Sequence, residues 1–142
     1  MPTRMRGITL MELLIVVVVI GILASIAVPS YRRYVMRTHR TDATTMLLRI
    51  QSAQEKYFLQ NNQYAPDVAT LGVAAATDGG KYTIVIDQPA GITSFRARAT
   101  PAAGQGQQGD DKCQAFSINE LGVRGALDSG GGDRSNECWG RR

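Results

Sequence analysis

The chain has 142 residues, 44% of them apolar and 20% charged, with 16 Lys and Arg against 12 Asp and Glu and a formal charge of +4. That length holds one modest domain plus an apolar segment. Without Arg4 and Arg6 the balance is 14 basic to 12 acidic residues, which does not by itself mark a nucleic-acid binder. A lone histidine, His39, with no cysteine or carboxylate at ligand spacing, gives no basis for a metal site or a Ser-His-Asp or Cys-His-Asn set. No catalytic residue, metal or cofactor is therefore assigned, and the chain reads as a non-enzyme.

The first element follows a short basic leader, Met1 to Gly7. Ile8 to Val28 is an apolar run of 21 residues interrupted only by Thr9, Glu12, Gly21 and Ser25. As a helix it spans roughly 31 Å, the thickness of a bilayer core. The run lacks a small-residue cleavage site followed by a composition break, so it reads as retained and not as a discarded secretory signal. Arg4 and Arg6 keep the leader cytoplasmic by the positive-inside rule. Glu12 is the oddity, since a carboxylate in hydrocarbon is costly and calls for a partner. Pro29 has no amide hydrogen for the carbonyl of Ser25, and with Gly21 it brackets a weak stretch of helix.

After Pro29 the pattern becomes periodic. A basic cluster, Arg32, Arg33, Arg37, His39 and Arg40, reads as a solvated face touching headgroups. Ala43, Met46, Leu47, Ile50, Ala53, Gln54, Tyr57 and Phe58 then form one helical stripe, with Arg40, Asp42, Arg49, Gln51, Glu55 and Lys56 opposite. The helix ends near Asn61-Asn62, ahead of Pro66. If Pro29 only kinks it, one element of about 54 residues and roughly 80 Å runs from Ile8 to Asn61.

Short strand signals follow at Tyr82–Ile86, Phe95–Thr100, Ala115–Ile118 and, more weakly, Val123–Leu127. Short connections predict an antiparallel meander that covers the helical stripe. Gly104-Gln105-Gly106-Gln107-Gln108-Gly109 matches G-x-G-x-x-G only literally: Pro101 precedes it, and Asp110-Asp111 follows where a phosphate-binding helix would open. It reads as a loop. In an oxidising compartment Cys113 and Cys138 have one pairing open to them, a disulfide; two buried thiols are the other reading.

Gly7-Ile8-Thr9-Leu10-Met11-Glu12, with Gly21 and Pro29 beyond, resembles the type IV pilin class of signal sequence. The resemblance implies cleavage after Gly7 by a prepilin peptidase and N-methylation of the new terminus, Ile8. Most family members begin the mature chain with Phe, and this one would begin with Ile. Cleavage would create an ammonium four residues before Glu12, and pairing between subunits would offset the desolvation of both charges. Tyr57 to Tyr64, and Cys113…Leu121-Gly122-Val123-Arg124-Gly125-Ala126…Cys138-Trp139, are similar to PilE-type minor pilins and to the related DNA-uptake pilins.

The implied fold is the α+β pilin fold: a long N-terminal helix packed on an antiparallel sheet, with a C-terminal disulfide loop used as a contact surface. The implied domains are a leader at 1–7, a transmembrane and assembly helix at 8–29 and a periplasmic or extracellular globular domain at 30–142. The implied life history is a bacterial inner-membrane precursor that becomes an extracellular pilus subunit. Its partners would be other pilin subunits, the peptidase, the assembly platform and the membrane before assembly; Gly21 and Pro29 would yield as helices pack. Filaments of such subunits serve adhesion, twitching motility or DNA uptake. The alternative is a DNA-uptake receptor, with Arg96, Arg98, Arg124 and Arg134 as candidate contacts, joined by Arg141 and Arg142. A secretion pseudopilin is a third reading.

Overall fold

A computed structural model describes residues 7–87 and 92–140. The leader before Gly7, with Arg4 and Arg6, lies outside the described residues, as do Arg141 and Arg142. Helix α1 (Leu10–Asn61, 52 residues) is followed by β1 (Tyr82–Asp87), β2 (Arg96–Pro101), a 3-10 turn at Gln107–Gly109, β3 (Ala115–Asn119), β4 (Arg124–Leu127) and the short α2 (Ser135–Cys138). The chain divides into two compact units between Val35 and Met36.

In the first unit α1 runs unbroken through Pro29. Every residue from Gly7 to Tyr34 is exposed, and α1 is long and apolar enough to cross a membrane. Helicity starts two residues later than Ile8 because Thr9 caps it. The Thr9 hydroxyl accepts the Glu12 amide (3.2 Å), and the Thr9 carbonyl accepts that of Leu13 (3.1 Å). Thr9-Leu10-Met11-Glu12 thus has the S/T-x-x-E spacing of a capping box, with Glu12 at its third helical position. The Ser25 hydroxyl, one turn before Pro29, donates to the Ile22 carbonyl (2.7 Å), a local bond that weakens a helix here.

The second unit holds the core. Strands β1 to β4 pair in sequence order, antiparallel throughout, as an uncrossed meander. Alternation along the strands turns Tyr82, Ile84, Ile86, Ala97, Ala99, Phe116, Ile118 and Ala126 inward. They join Ala43, Met46, Leu47 and Ile50 of α1 in one apolar cluster. The polar member of the helical stripe, Gln54, is fully buried and is satisfied at both ends of its amide. It donates to the Ala65 carbonyl (2.9 Å) and accepts the Ala65 amide (2.8 Å), fixing the chain that leaves α1. Phe58, Tyr64 and Phe95 follow one another in tilted ring contacts, with centroids 4.7 and 4.9 Å apart.

Cys113 and Cys138 form a disulfide, and both lie in the apolar cluster. The segment between them is not merely a surface loop: it contains β3, β4 and α2, half of the sheet. Trp139 closes this end. Its indole donates to the Gly125 carbonyl (2.9 Å), its ring meets Phe116 edge-on, and Arg124 lies over it at 5.3 Å.

Candidate functional site

Three places carry the candidate chemistry, and they are built differently. The first is the start of α1. Gly7 and Ile8 precede the helix, and Ile8 is 76% exposed. A free amine created at Ile8 would stand one residue before the cap and one helical turn from Glu12. The helix amino end also favours a carboxylate there through its dipole, a second role for Glu12 that the spacing Thr9-x-x-Glu12 announces. Gly21 stands clear, with no neighbour for an added Cβ.

The second is the outward face of the sheet. On β2, Arg96 and Arg98 both point away from the core. Residues two apart on a strand stand about 6.8 Å apart. Arg98 lies in a cross-strand row with Val85, Ser117 and Gly125, while Arg96 pairs with Asp87 and Asn119. Together Arg96, Arg98, Ser117, Asn119 and Gly125 line a shallow groove. At Gly125 an added Cβ would stand 2.6 Å from the Ser117 hydroxyl, which would have to turn away to admit it. Arg98 meets Asp87 at 2.8 Å with both side chains substantially exposed, a pairing worth little in water. Arg96 has no ion pair among the described residues.

The other two candidate arginines do not join this face. Arg124 shares the alternation of buried Ala126 and is spent on Trp139. Arg134 is held by Asp128 (3.1 Å) and lies 3.9 Å from Glu137. It lines a second groove with Asp133 and Glu137, and Asp133 and Ser135 also border the groove of Arg96 and Arg98. Hydrogen bonds hold the carboxyls there below their usual range, Asp128 through Gly132 and Arg134, and Glu137 through Lys112. That neighbourhood is acidic at neutral pH, so Arg134 is a poor phosphate ligand.

The third is the glycine-rich loop, which proves to be more than a solvated connection. Gly106 adopts a positive φ of 78°, and the turn after it carries Gln107 and Asp110 into the protein, 1% and 4% exposed. Asp110 accepts two bonds from Arg40, from Nε and Nη2, each 2.7 Å. Arg40, read from sequence as part of a solvated basic face, is thus withdrawn into a bidentate ion pair. The bond to Asp110 raises its pKa further, against the opposing effect of burial. His39 departs from its sequence reading too, since Asp42 stands 3.1 Å from its Nδ1. Arg32, Arg33 and Arg37 are exposed. Sequence gave no sign that Asp110 would be buried, because two adjacent aspartates after glycines look like a solvated turn.

Comparison with known proteins adds to this geometry. A family described as "Prokaryotic N-terminal methylation motif" matches residues 2–28, and one described as "Type IV minor pilin ComP, DNA uptake sequence receptor" matches residues 29–117. The type IV major pilin protein PilA of Myxococcus xanthus is 36% identical over 104 residues, 71% of this chain and 47% of that protein. Fimbrial protein EcpC of Eikenella corrodens is 33% identical over 106 residues, 73% of this chain and 69% of that protein. A solved type IV pilin from Shewanella oneidensis aligns with a TM-score of 0.49 at 24% identity, over 63% of this chain and 89% of that one. The chain spans about half the length of the Myxococcus and Neisseria pilins it matches, 47% and 56%.

Proposed function

Because the chain belongs to the type IV pilin family, we propose that it is a minor pilus subunit whose outward sheet face engages the phosphates of DNA. It is made as a bacterial inner-membrane precursor with residues 8–29 in the bilayer and 30–142 outside. A prepilin peptidase removes 1–7, Ile8 is methylated, and an assembly platform adds the subunit to an extracellular filament of like helices. In this scheme the chain is a substrate of enzymes. Burial of the exposed apolar run supplies the energy of assembly, and the Ile8 amine of one subunit meets Glu12 of another. Gly21, Ser25 and Pro29 form the stretch of α1 that yields most readily as helices pack.

The observation that carries the DNA reading is the match of residues 29–117 to a DNA-uptake receptor family. Arg96 and Arg98 lie within that match and present two cations along one strand. Releasing Arg98 from the exposed Asp87 pair costs little, so both can neutralise phosphates. Two phosphate contacts fewer should lower the slope of log affinity against log salt by about 2. The test is duplex DNA binding by the detergent-solubilised full chain across a salt series. Arg96→Ala/Arg98→Ala should bind more weakly at low salt with the smaller slope, while Arg124→Ala and Arg134→Ala keep the parent slope. Absence of binding by the parent chain at low salt, or an unchanged slope in the double variant, would refute the DNA role.

A further inference from the structure

The turn between β3 and β4 carries two exposed apolar side chains that neither proposed role uses. Leu121 is 78% exposed and Val123 60%. Single exposed apolar residues are ordinary on a protein surface, but two on a tip held in one shape call for a partner. Asn119 does the holding. Its Oδ1 accepts the amides of Leu121 (3.2 Å) and Val123 (2.8 Å), and its carbonyl accepts that of Gly122 (2.9 Å). Gly122, at a φ of 72°, packs on α1, where an added Cβ would stand 3.1 Å from Gln51 Nε2. A tip fixed in this way loses little freedom when it docks.

A hollow of about 160 Å³ lies between α1 and the chain leading into β1, lined by Thr45, Met46 and Arg49 on one side and Thr77 on the other. Gln51 follows Arg49 by two residues, roughly 200° of helical turn, so tip and hollow lie on opposite flanks of α1. The far wall is as fixed as the tip. Thr77 is buried, its amide donates to the Tyr82 carbonyl (3.0 Å), and its Oγ1 accepts the Tyr82 amide (3.2 Å). A cavity of this volume takes a benzene-sized group, and nearly buried Met46 gives it an adaptable apolar floor. At the rim Arg49 is exposed and has no ion pair among the described residues. The rim also carries Asp78 and Asp42, the latter 3.1 Å from His39 Nδ1. The tip has the matching charges: Glu120, one oxygen of which accepts the Phe95 amide (3.3 Å), precedes it, and Arg124 follows it.

We propose that the Leu121–Val123 tip of one copy seats in this hollow on the next copy, with Glu120 against Arg49. Tip and hollow are different patches on opposite flanks, so the contact is head-to-tail. Each copy offers a tip to one neighbour and a hollow to another, and the contact repeats instead of closing on a pair. The proposal rests on the filament reading and adds that the neighbour on this flank is a second copy of this chain. One tip in one hollow is far smaller than the roughly 1,200 Å² of a stable interface. The contact therefore acts between subunits that the filament already holds close, where effective concentration replaces area.

Thr45→Cys and Leu121→Cys place a thiol on each side of the contact, both at exposed positions, while Cys113 and Cys138 are closed to reagents by their disulfide. Filaments sheared from cells making the full chain are treated with a short thiol–thiol cross-linker and separated on a denaturing gel. Chains carrying both new cysteines should give a ladder of dimers, trimers and longer products. A mixture of chains with one new cysteine each should stop at dimers, and either single variant alone should give none. As an independent arm, Arg49→Glu should lower recovery in filaments about tenfold by setting like charges together, and Arg49→Glu/Glu120→Arg should return it to within about twofold of the parent. Filaments that contain the chain but give no ladder overturn the contact. Dimers from Leu121→Cys alone, or parental recovery of Arg49→Glu, do the same, and the filament reading survives each of these results. A parent chain absent from filaments overturns both.

Discussion

Glu12→Ala is expected to leave the precursor inserted and cleaved but to reduce its recovery in sheared filaments by more than about a hundredfold. The size follows from the environment. In the proposed filament the Glu12 carboxylate and the Ile8 amine of a neighbour would share a medium without water, and removing one member of such a buried pair costs about 3–5 kcal/mol, because the other charge is left alone. The local role of Glu12 is smaller. A carboxylate in the first turn contributes about 0.3–1 kcal/mol through the helix dipole, and the Thr9 hydroxyl continues to accept the amide of residue 12. Glu12→Gln separates the two: it keeps a side chain able to accept a hydrogen bond but carries no charge. Immunoblots of membrane and filament fractions should show Gln behaving like Ala. Normal incorporation of Glu12→Gln would assign Glu12 to capping and remove the intersubunit pair.

Loss of the disulfide is the second large effect. Cys113→Ser/Cys138→Ser opens a closure of 25 residues, which in the chain-entropy view lowers stability by about 3.5 kcal/mol. For a unit of this size that is roughly 15 °C in the thermal midpoint. Two features direct the loss to one end of the sheet. Cys113 precedes β3 and Cys138 ends α2, so the bridge ties the end of the sheet formed by β3 and β4 to the Trp139 cap. Both cysteines also lie in the apolar cluster, where serine hydroxyls would need partners. Circular dichroism melts of the variant and the parent measure this, and equal midpoints would show that the core alone holds the unit.

The elements that repeat were legible in the sequence. Period-2 alternation with β-branched residues located all four strands to within a residue or so, and the three-four spacing of Ala43, Met46, Leu47, Ile50 and Gln54 gave the buried face of α1. Those patterns arise from local geometry, which one sequence records in full. Long-range polar pairing is different. Asp110 is 70 residues from Arg40, and its burial depends on where the glycine-rich loop folds back, a matter of three-dimensional closure that no spacing encodes. The same reason undid half of the arginine stripe. Arg96 and Arg98 share a strand face by alternation alone, whereas Arg124 and Arg134 were taken to Trp139 and Asp128 by contacts that arise only once the chain has closed. The cap at Thr9 is encoded in the spacing Thr9-x-x-Glu12, where one residue serves both as a first-turn carboxylate and as a charge within the apolar run.

The central claim is that this chain is cut after Gly7, methylated at Ile8 and built into a filament. Mass spectrometry of the N-terminal peptide from purified, sheared pili tests all three at once. The expected peptide begins at Ile8 and carries one added methyl group on its amine. Pili that lack the chain, or that contain it with Met1 to Gly7 still attached, would contradict the account.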